Sequence, residues 1–420
     1  MRRAQNRFVL GMVLAAISVL LAGCGSSSSS NTQTAPLTNI KKRVLVSNEN
    51  GVVRIVDASK DTLSNKTIGI AAPTKMLKAG NFTIIAQNTA LVGIFDNTTE
   101  AITFNTPTAD VASDIAVSPD GSVAWVAERN VGLVQAVSTS SGAVVANISI
   151  PNVVRLAMSP TGTRLLAFTD TLKPQANADN FWVIDTGSVV STANKSASPV
   201  TAPPLDQPFT AVFNGSETQA FILSCGKPCG GTGVGANVSK VDFTTPAAPA
   251  VAATIPVLAA TTGIISGTSL FVAGTPSASA FGTLQVIDTG SLTVVGSASQ
   301  ITDGIHRKMS LASNNRLYIA SEACTPGPVN SSNQVAGCLS IANISGPPGA
   351  SGLPVARPAE SAFRQNLDVT GFQPISGRNI IYVVQGGELD IFDTGLDAPS
   401  PSITQIDIVG RAIDAIQIDP

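Results

Sequence analysis

Apolar residues along this chain alternate with polar ones in short runs, and the runs stop at clusters of Gly, Pro, Asp and Ser. Residues 113–151 show the pattern most fully. Ile115 and Val117 lead to a Pro119-Asp120-Gly121 turn, and Val123, Trp125 and Ala127 form the next run. Val131, Leu133, Gln135 and Val137 follow Asn130, and Ser141-Gly142 turns the chain into Val144, Ala146, Ile148 and Ile150. The spacing predicts four short strands joined by turns. Val134 and Ala136 make the third run apolar on its other face as well. One meander of this size cannot bury its apolar faces alone, so it is expected to stack on copies of itself.

Those copies are present. RVLVSNE from Arg43, FTIIAQN from Phe82, VAWVAER from Val123 and RLLAFTD from Arg164 align as second strands. QAFILSC from Gln219, SLFVAGT from Ser269, RLYIASE from Arg316 and IIYVVQG from Ile380 complete a set of eight. Third strands align equally, and several end in Asp followed by a small or hydroxyl residue, as in Asp185-Thr186-Gly187, Asp288-Thr289-Gly290 and Asp393-Thr394-Gly395. These triplets recur at one phase of the repeat, which fits turn chemistry and not the paired aspartates of a protease dyad. The repeat is about 40 residues long, a four-stranded unit repeated radially, hence an all-β β-propeller. Extra length falls mainly between second and third strands, at residues 173–180, 226–237 and 325–336. The chain opens with a second strand near residues 44–47 and ends, at residues 412–420, in what reads as a first strand. Pairing the two closes the ring and removes an open edge. That count gives eight blades; seven is the alternative, the irregular stretch 346–373 being where the two counts part.

Ser118-Pro119-Asp120-Gly121, its variant Ser159-Pro160-Thr161-Gly162 and the Val-Ile-Asp-Thr-Gly turns resemble the YVTN/lactonase-like propeller repeats, over residues 42–420. The resemblance implies the fold and raises a lactonase-type hydrolase as one possible activity.

The first residues carry a different signal. Arg2, Arg3 and Arg7 precede an apolar run from Phe8 to Leu21, too short for a comfortable membrane span. Leu21-Ala22-Gly23-Cys24 resembles the lipobox of bacterial lipoproteins, which implies removal of residues 1–23 and acylation of Cys24, palmitate-type chains included. Gly25 in place of an Asp points to the outer membrane as the destination. Residues 24–41, rich in Ser, Thr and Asn, read as a flexible tether. The expected partners are therefore a membrane, through the lipid, and an envelope protein or glycan, bound by a monomeric propeller.

Charge excludes one class of partner. The chain has 25 basic and 27 acidic residues, and the basic footprint of a nucleic-acid binder is missing. Beyond Cys24, four cysteines are expected to pair locally as Cys225 with Cys229 and Cys324 with Cys338. No metal or cofactor is expected, since His306 is the single histidine and CGGTGVGA lacks the setting of a phosphate loop.

The first strand of each repeat should line the central channel. Aligned on Asp114, the repeats place Lys75, Arg155, Thr210, Thr262 and Lys308 at one level, with Arg307, Asp368 and Asp414 close by. That mixed ring, with His306 beside Arg307 and Lys308, is the candidate ligand site. No catalytic residue is assigned. The favoured function is a binding or scaffold module; the alternative is a lactonase-like hydrolase using Lys75, Asp114, Arg155 and Lys308.

Overall fold

The computed structural model describes residues 37–170, 180–187, 197–201, 205–231, 233–244, 249–277, 279–322, 324, 339–345, 355–357, 369–385, 387–396, 398–400 and 403–420. Within them lie eight antiparallel sheets arranged as a ring, a β-propeller with eight blades. Blades 2 to 8 each take their strands consecutively, beginning with Pro73–Ala79, Asp114–Val117, Val153–Met158, Pro208–Phe213, Thr262–Ser266, Met309–Ala312 and Val369–Pro374 at the channel. Blade 1 is composite: Thr62–Gly69, Val52–Asp57 and Arg43–Asn48 are completed on the channel side by the C-terminal strand Ala412–Gln417. In blade 8 the outermost position is shared by Ala398–Pro399 and Gln405–Ile406, both paired with Glu388–Asp393.

Eight blades make eight interfaces, and the described apolar core divides into eight clusters, one at each. The cause is the period of two in a strand. Trp125 and Ala127 face blade 4, where they meet Leu165 and Ile184. Ala124 and Val126 face blade 2, where they meet Ile84 and Ile94. Both faces of Val123–Glu128 are therefore apolar and the whole strand is buried, whereas the outermost strand Val144–Ser149 alternates. Each fully buried Val, Leu, Ile or Phe contributes roughly 1.5–3 kcal/mol. A handful of them at one interface rivals the ~5–15 kcal/mol net stability of a typical domain. Losing a blade opens two interfaces, so the blades are stable only together.

The repeated turns stack in the same sense. Gly121 has φ 74°, and a Cβ on it would lie 2.6 Å from the backbone of Ala79 in blade 2. Gly162 has φ 76°, and its Cβ would lie 2.5 Å from Pro119 of blade 3. The Ser-Pro-Asp-Gly motif is thus a tight turn closed by Gly121 N–H donating to Ser118 O (2.8 Å) and pressed against the preceding blade. The Asp-Thr-Gly triplets are turns too: Asp393 Oδ1 accepts from Gly395 N (2.7 Å), and Asp185 Oδ1 from Gly187 N (3.1 Å).

The ring is fastened at the composite blade. Arg43 holds Asp419 by two side-chain hydrogen bonds of 2.7 Å, from Nε to Oδ2 and from Nη2 to Oδ1. Its Nη1 reaches Glu100, which also accepts from Lys66 and from the backbone and hydroxyl of Thr38. Ile40 packs on the cluster between blades 1 and 2.

Candidate functional site

Each blade enters the channel through the loop before its innermost strand, and five of those strands carry a β-bulge at the same level. The irregularities fall just before Lys75, Arg155, Thr210 and Gly371, and beside Asp414 in the reverse-listed pair. The register puts Lys75, Asp114, Arg155, Thr210, Thr262 and Asp414 at equivalent positions, opposite Ala86, Ala127, Phe168, Leu223, Ala273 and Ser47. Lys308 joins them, its carbonyl accepting from Ala320 N (3.0 Å). In blade 8 the position is Gly371; Asp368 lies outside the described residues.

Two carboxylates in this ring do the same work. Asp114 Oδ2 accepts from Leu156 N of blade 4 (2.9 Å), and Asp414 Oδ2 accepts from Met76 N of blade 2 (2.9 Å). Each therefore satisfies a backbone N–H of the next blade, which would otherwise lack a partner. Each also meets a lysine. Lys75 Nζ lies 2.5 Å from Asp114 Oδ1, and Lys308 Nζ lies 2.9 Å from Asp414 Oδ1. Lys308 reaches past blade 8 to do so. Gly371 has no side chain to stop it; a Cβ there would lie 2.9 Å from Asp414 Oδ1. These four charges, expected as a ligand ring, are engaged with one another and with the blade joints.

The other members of the candidate set go elsewhere. His306 is fully buried, with Nε2 2.8 Å from Ser321 Oγ, and burial pushes its pKa down to about 4. It is neutral near pH 7 and faces no solvent. Arg307 is about half exposed, with Nε 3.4 Å from Glu322.

Arg155 is the exception. Its guanidinium lies over the ring of Phe209, 3.3 Å from the centroid, and no described carboxylate is paired with it. Desolvation, followed by the nearby charge of Arg307, lowers its pKa to about 10 against the opposing pull of Asp114, Asp170 and Glu322. The protein supplies its own contrast in Arg43 and Arg378, whose pKa values are raised by Asp419 and Asp61 respectively.

Arg155 stands in the wall of a cavity of about 710 Å³ at the end of the channel where the innermost strands begin. Arg129 and Arg307 share the wall, Asp170 is the single carboxylate in it, and Arg129 is paired with Asp170. Phe209, Pro228 and Pro276 give it apolar surface. The disulfide Cys225–Cys229 closes part of one side. Cys324 is also disulfide-bonded; Cys338, expected as its partner, and Cys24 lie outside the described residues. The insertion at 226–237 leaves from this face, and Asp170 and Glu322, which precede the other two insertions, stand there as well.

Arg129, Asp170 and Phe209 stand outside the channel positions expected from the repeat alignment. A signal was available: Arg129 and Asp170 are both the last residue of the aligned seven, in VAWVAER and RLLAFTD, so equivalent positions of neighbouring blades carry opposite charges. Phe209, at a bulge, had no comparable mark.

No known family model and no curated protein matches this chain. Solved structures do resemble it. A dihydro-heme d1 dehydrogenase, NirN, in complex with DHE superposes with a TM-score of 0.63 at 12% identity, over 90% of this chain and 75% of that one. The computationally designed Ika8 protein gives 0.57 at 11% identity, over 84% and 93%. The β-propeller domain of Cps50 (Swd1) from Myceliophteria thermophila gives 0.52 at 11% identity, over 79% and 99%. At such identities the likeness is one of fold, and it agrees with the ring of blades described above: the chain is a β-propeller.

Proposed function

We propose that this chain is an envelope-tethered binding module, a lipoprotein that offers the arginine-bearing end of its channel to a protein or glycan partner. The observation that carries the reading is the cavity at that end, bounded by the loops that lead into first strands and out of second strands. Its surroundings suit docking. Val234, Leu258, Phe281 and Ile305 are exposed large hydrophobics on such loops in three consecutive blades. A hydrolase of the lactonase type is the less favoured reading, because Lys75, Asp114 and Lys308 already serve the blade joints.

Two experiments test the reading. The immobilised chain is expected to retain a reproducible partner from envelope extracts, and Phe281→Glu, which charges an exposed rim position, is expected to abolish that retention. Equal retention by both proteins would move docking away from this face; no retained partner would end the proposal. Cys24→Ala is expected to leave the unfolding transition unchanged while shifting the protein from the membrane fraction to the soluble one. Continued membrane attachment of that variant would refute the lipid anchor.

A further inference from the structure

We infer that the cavity at the channel mouth binds a small organic anion, a carboxylate carried on a flat apolar body, with the Arg155 guanidinium as its anchor. The inference deepens the binding reading above and rests on it for the location of the site. Three observations support it, and they are independent of one another.

The first is the charge of the wall. Arg129, Arg155 and Arg307 line the cavity with Asp170 as the single carboxylate in the wall, and Asp170 is paired with Arg129. Arg307 draws on Glu322 outside the wall. Arg155 makes no described salt bridge; Asp114, Asp170 and Glu322 act on it only through space, and Arg307 opposes them. A partly desolvated cation without a paired carboxylate is costly to keep, and Arg43 and Arg378 are both paired. The depressed pKa of Arg155 reflects the same situation.

The second is the orientation of Arg155. The Phe209 ring, 3.3 Å from the guanidinium carbon, covers one side of the group, and no described hydrogen bond uses the N–H groups along its edge. A carboxylate matches that edge with two parallel hydrogen bonds.

The third is size and lining. A volume of about 710 Å³ greatly exceeds what a single inorganic anion fills, and it falls in the range of ordinary small-molecule pockets. Phe209, Pro228 and Pro276 provide flat apolar walls around the charged group, while the Thr261 and Thr275 hydroxyls already donate to Ala273 O and Gly304 O. An anion with a ring or fused-ring body uses both kinds of surface, whereas phosphate alone uses one.

The test employs 2-naphthoate as probe, with 2-naphthamide and inorganic phosphate as comparisons, titrated calorimetrically into the full-length protein. Saturable naphthoate binding is expected, with Arg155→Gln weakening it by about tenfold or more, the loss of a charge-assisted pair. Arg155→Lys is expected to restore only part, because an ammonium lacks the planar fork. Arg307→Gln, at a half-exposed position that the fold tolerates, should weaken binding to a smaller degree, and it carries the test if Arg155→Gln fails to fold. Naphthamide binding as tightly as naphthoate, phosphate matching it, or no naphthoate binding up to about 10 mM would each overturn the inference. Partner retention sensitive to Phe281→Glu is read separately. If it persists while naphthoate fails, the anion site is wrong and the binding module stands; if both fail, both are wrong.

Discussion

Asp414→Ala is expected to destabilise the folded chain by about 3 kcal/mol, more than any other single change in the channel. Asp414 is almost fully buried and belongs to the C-terminal strand that completes blade 1. Alanine removes the acceptor for Met76 N–H, a buried donor at the join with blade 2, and leaves Lys308 facing the channel without its carboxylate. The full cost of breaking a buried ion pair is about 3–5 kcal/mol, and the partial exposure of Lys308 returns some of it to solvent. Asp114→Ala removes the equivalent acceptor for Leu156 N–H, but the Lys75–Asp114 pair is more exposed and a smaller loss is expected. Guanidinium unfolding followed by the fluorescence of the buried Trp125 measures both. The two variants should also differ under limited proteolysis, Asp414→Ala losing residues 412–420 first. An unchanged midpoint for Asp414→Ala would show that the carboxylate does not fasten the ring.

Glu128→Gln is expected to stabilise the protein by about 2–3 kcal/mol at pH 8 and to have little effect near pH 5. Glu128 ends the second strand of blade 3 and is fully buried. Its Oε1 accepts from Ala109 N (2.9 Å) and Asp110 N (3.3 Å), while Oε2 has no partner among the described residues. Burial outweighs the two N–H donors and pushes the pKa up from 4.5 to about 7. The sign follows from proton uptake. Between pH 4.5 and about 7 the native carboxyl holds a proton that the unfolded chain has released. Its contribution to stability is therefore complete below the unfolded value and is lost as pH rises through the folded one. Glutamine keeps the carbonyl acceptor and never ionises, so the wild-type curve should fall away from the variant's between pH 5 and 8. Glu100 acts in the opposite sense: its donors hold its pKa down, and what it contributes is lost as pH falls below the ordinary carboxylate range. Parallel stability curves for wild type and Glu128→Gln would overturn the prediction.

Glu128 also illustrates what a buried polar residue does in this architecture. The loops leading into the channel strands carry backbone groups away from water, and the last position of several second strands supplies their partners. Asn48 Nδ2 donates to Val409 O (3.2 Å), and Glu128 accepts from the backbone N–H groups of residues 109 and 110. A carboxylate at that position does the same task as an amide, with a dependence on pH added.

Much of this molecule was legible along the chain because propeller blades are local objects. Strand period, the turn chemistry of Ser118–Gly121 and the eightfold recurrence of the second-strand pattern depend on neighbours within a few residues, so composition and spacing carry them. Ring closure was legible as well, since a lone first strand at one end and a missing one at the other leave one economical pairing, which Val44–Gln417 and Leu45–Ile416 make. The Cys225–Cys229 bridge needed only proximity along the chain. Side-chain direction at the channel could only be decided in three dimensions. Alignment put Lys75, Asp114, Arg155, Lys308 and Asp414 at one level but could not say which would be consumed by a neighbour, because each partner comes from a different blade. Lys308 finds Asp414 across a blade whose glycine leaves the way open, and Arg155 lies on a phenyl ring without a described salt bridge. Charges are read from sequence one residue at a time, whereas pairing depends on distances between residues 39 to 106 positions apart. The packing of the blades sets those distances, and with them which cation is left facing the cavity.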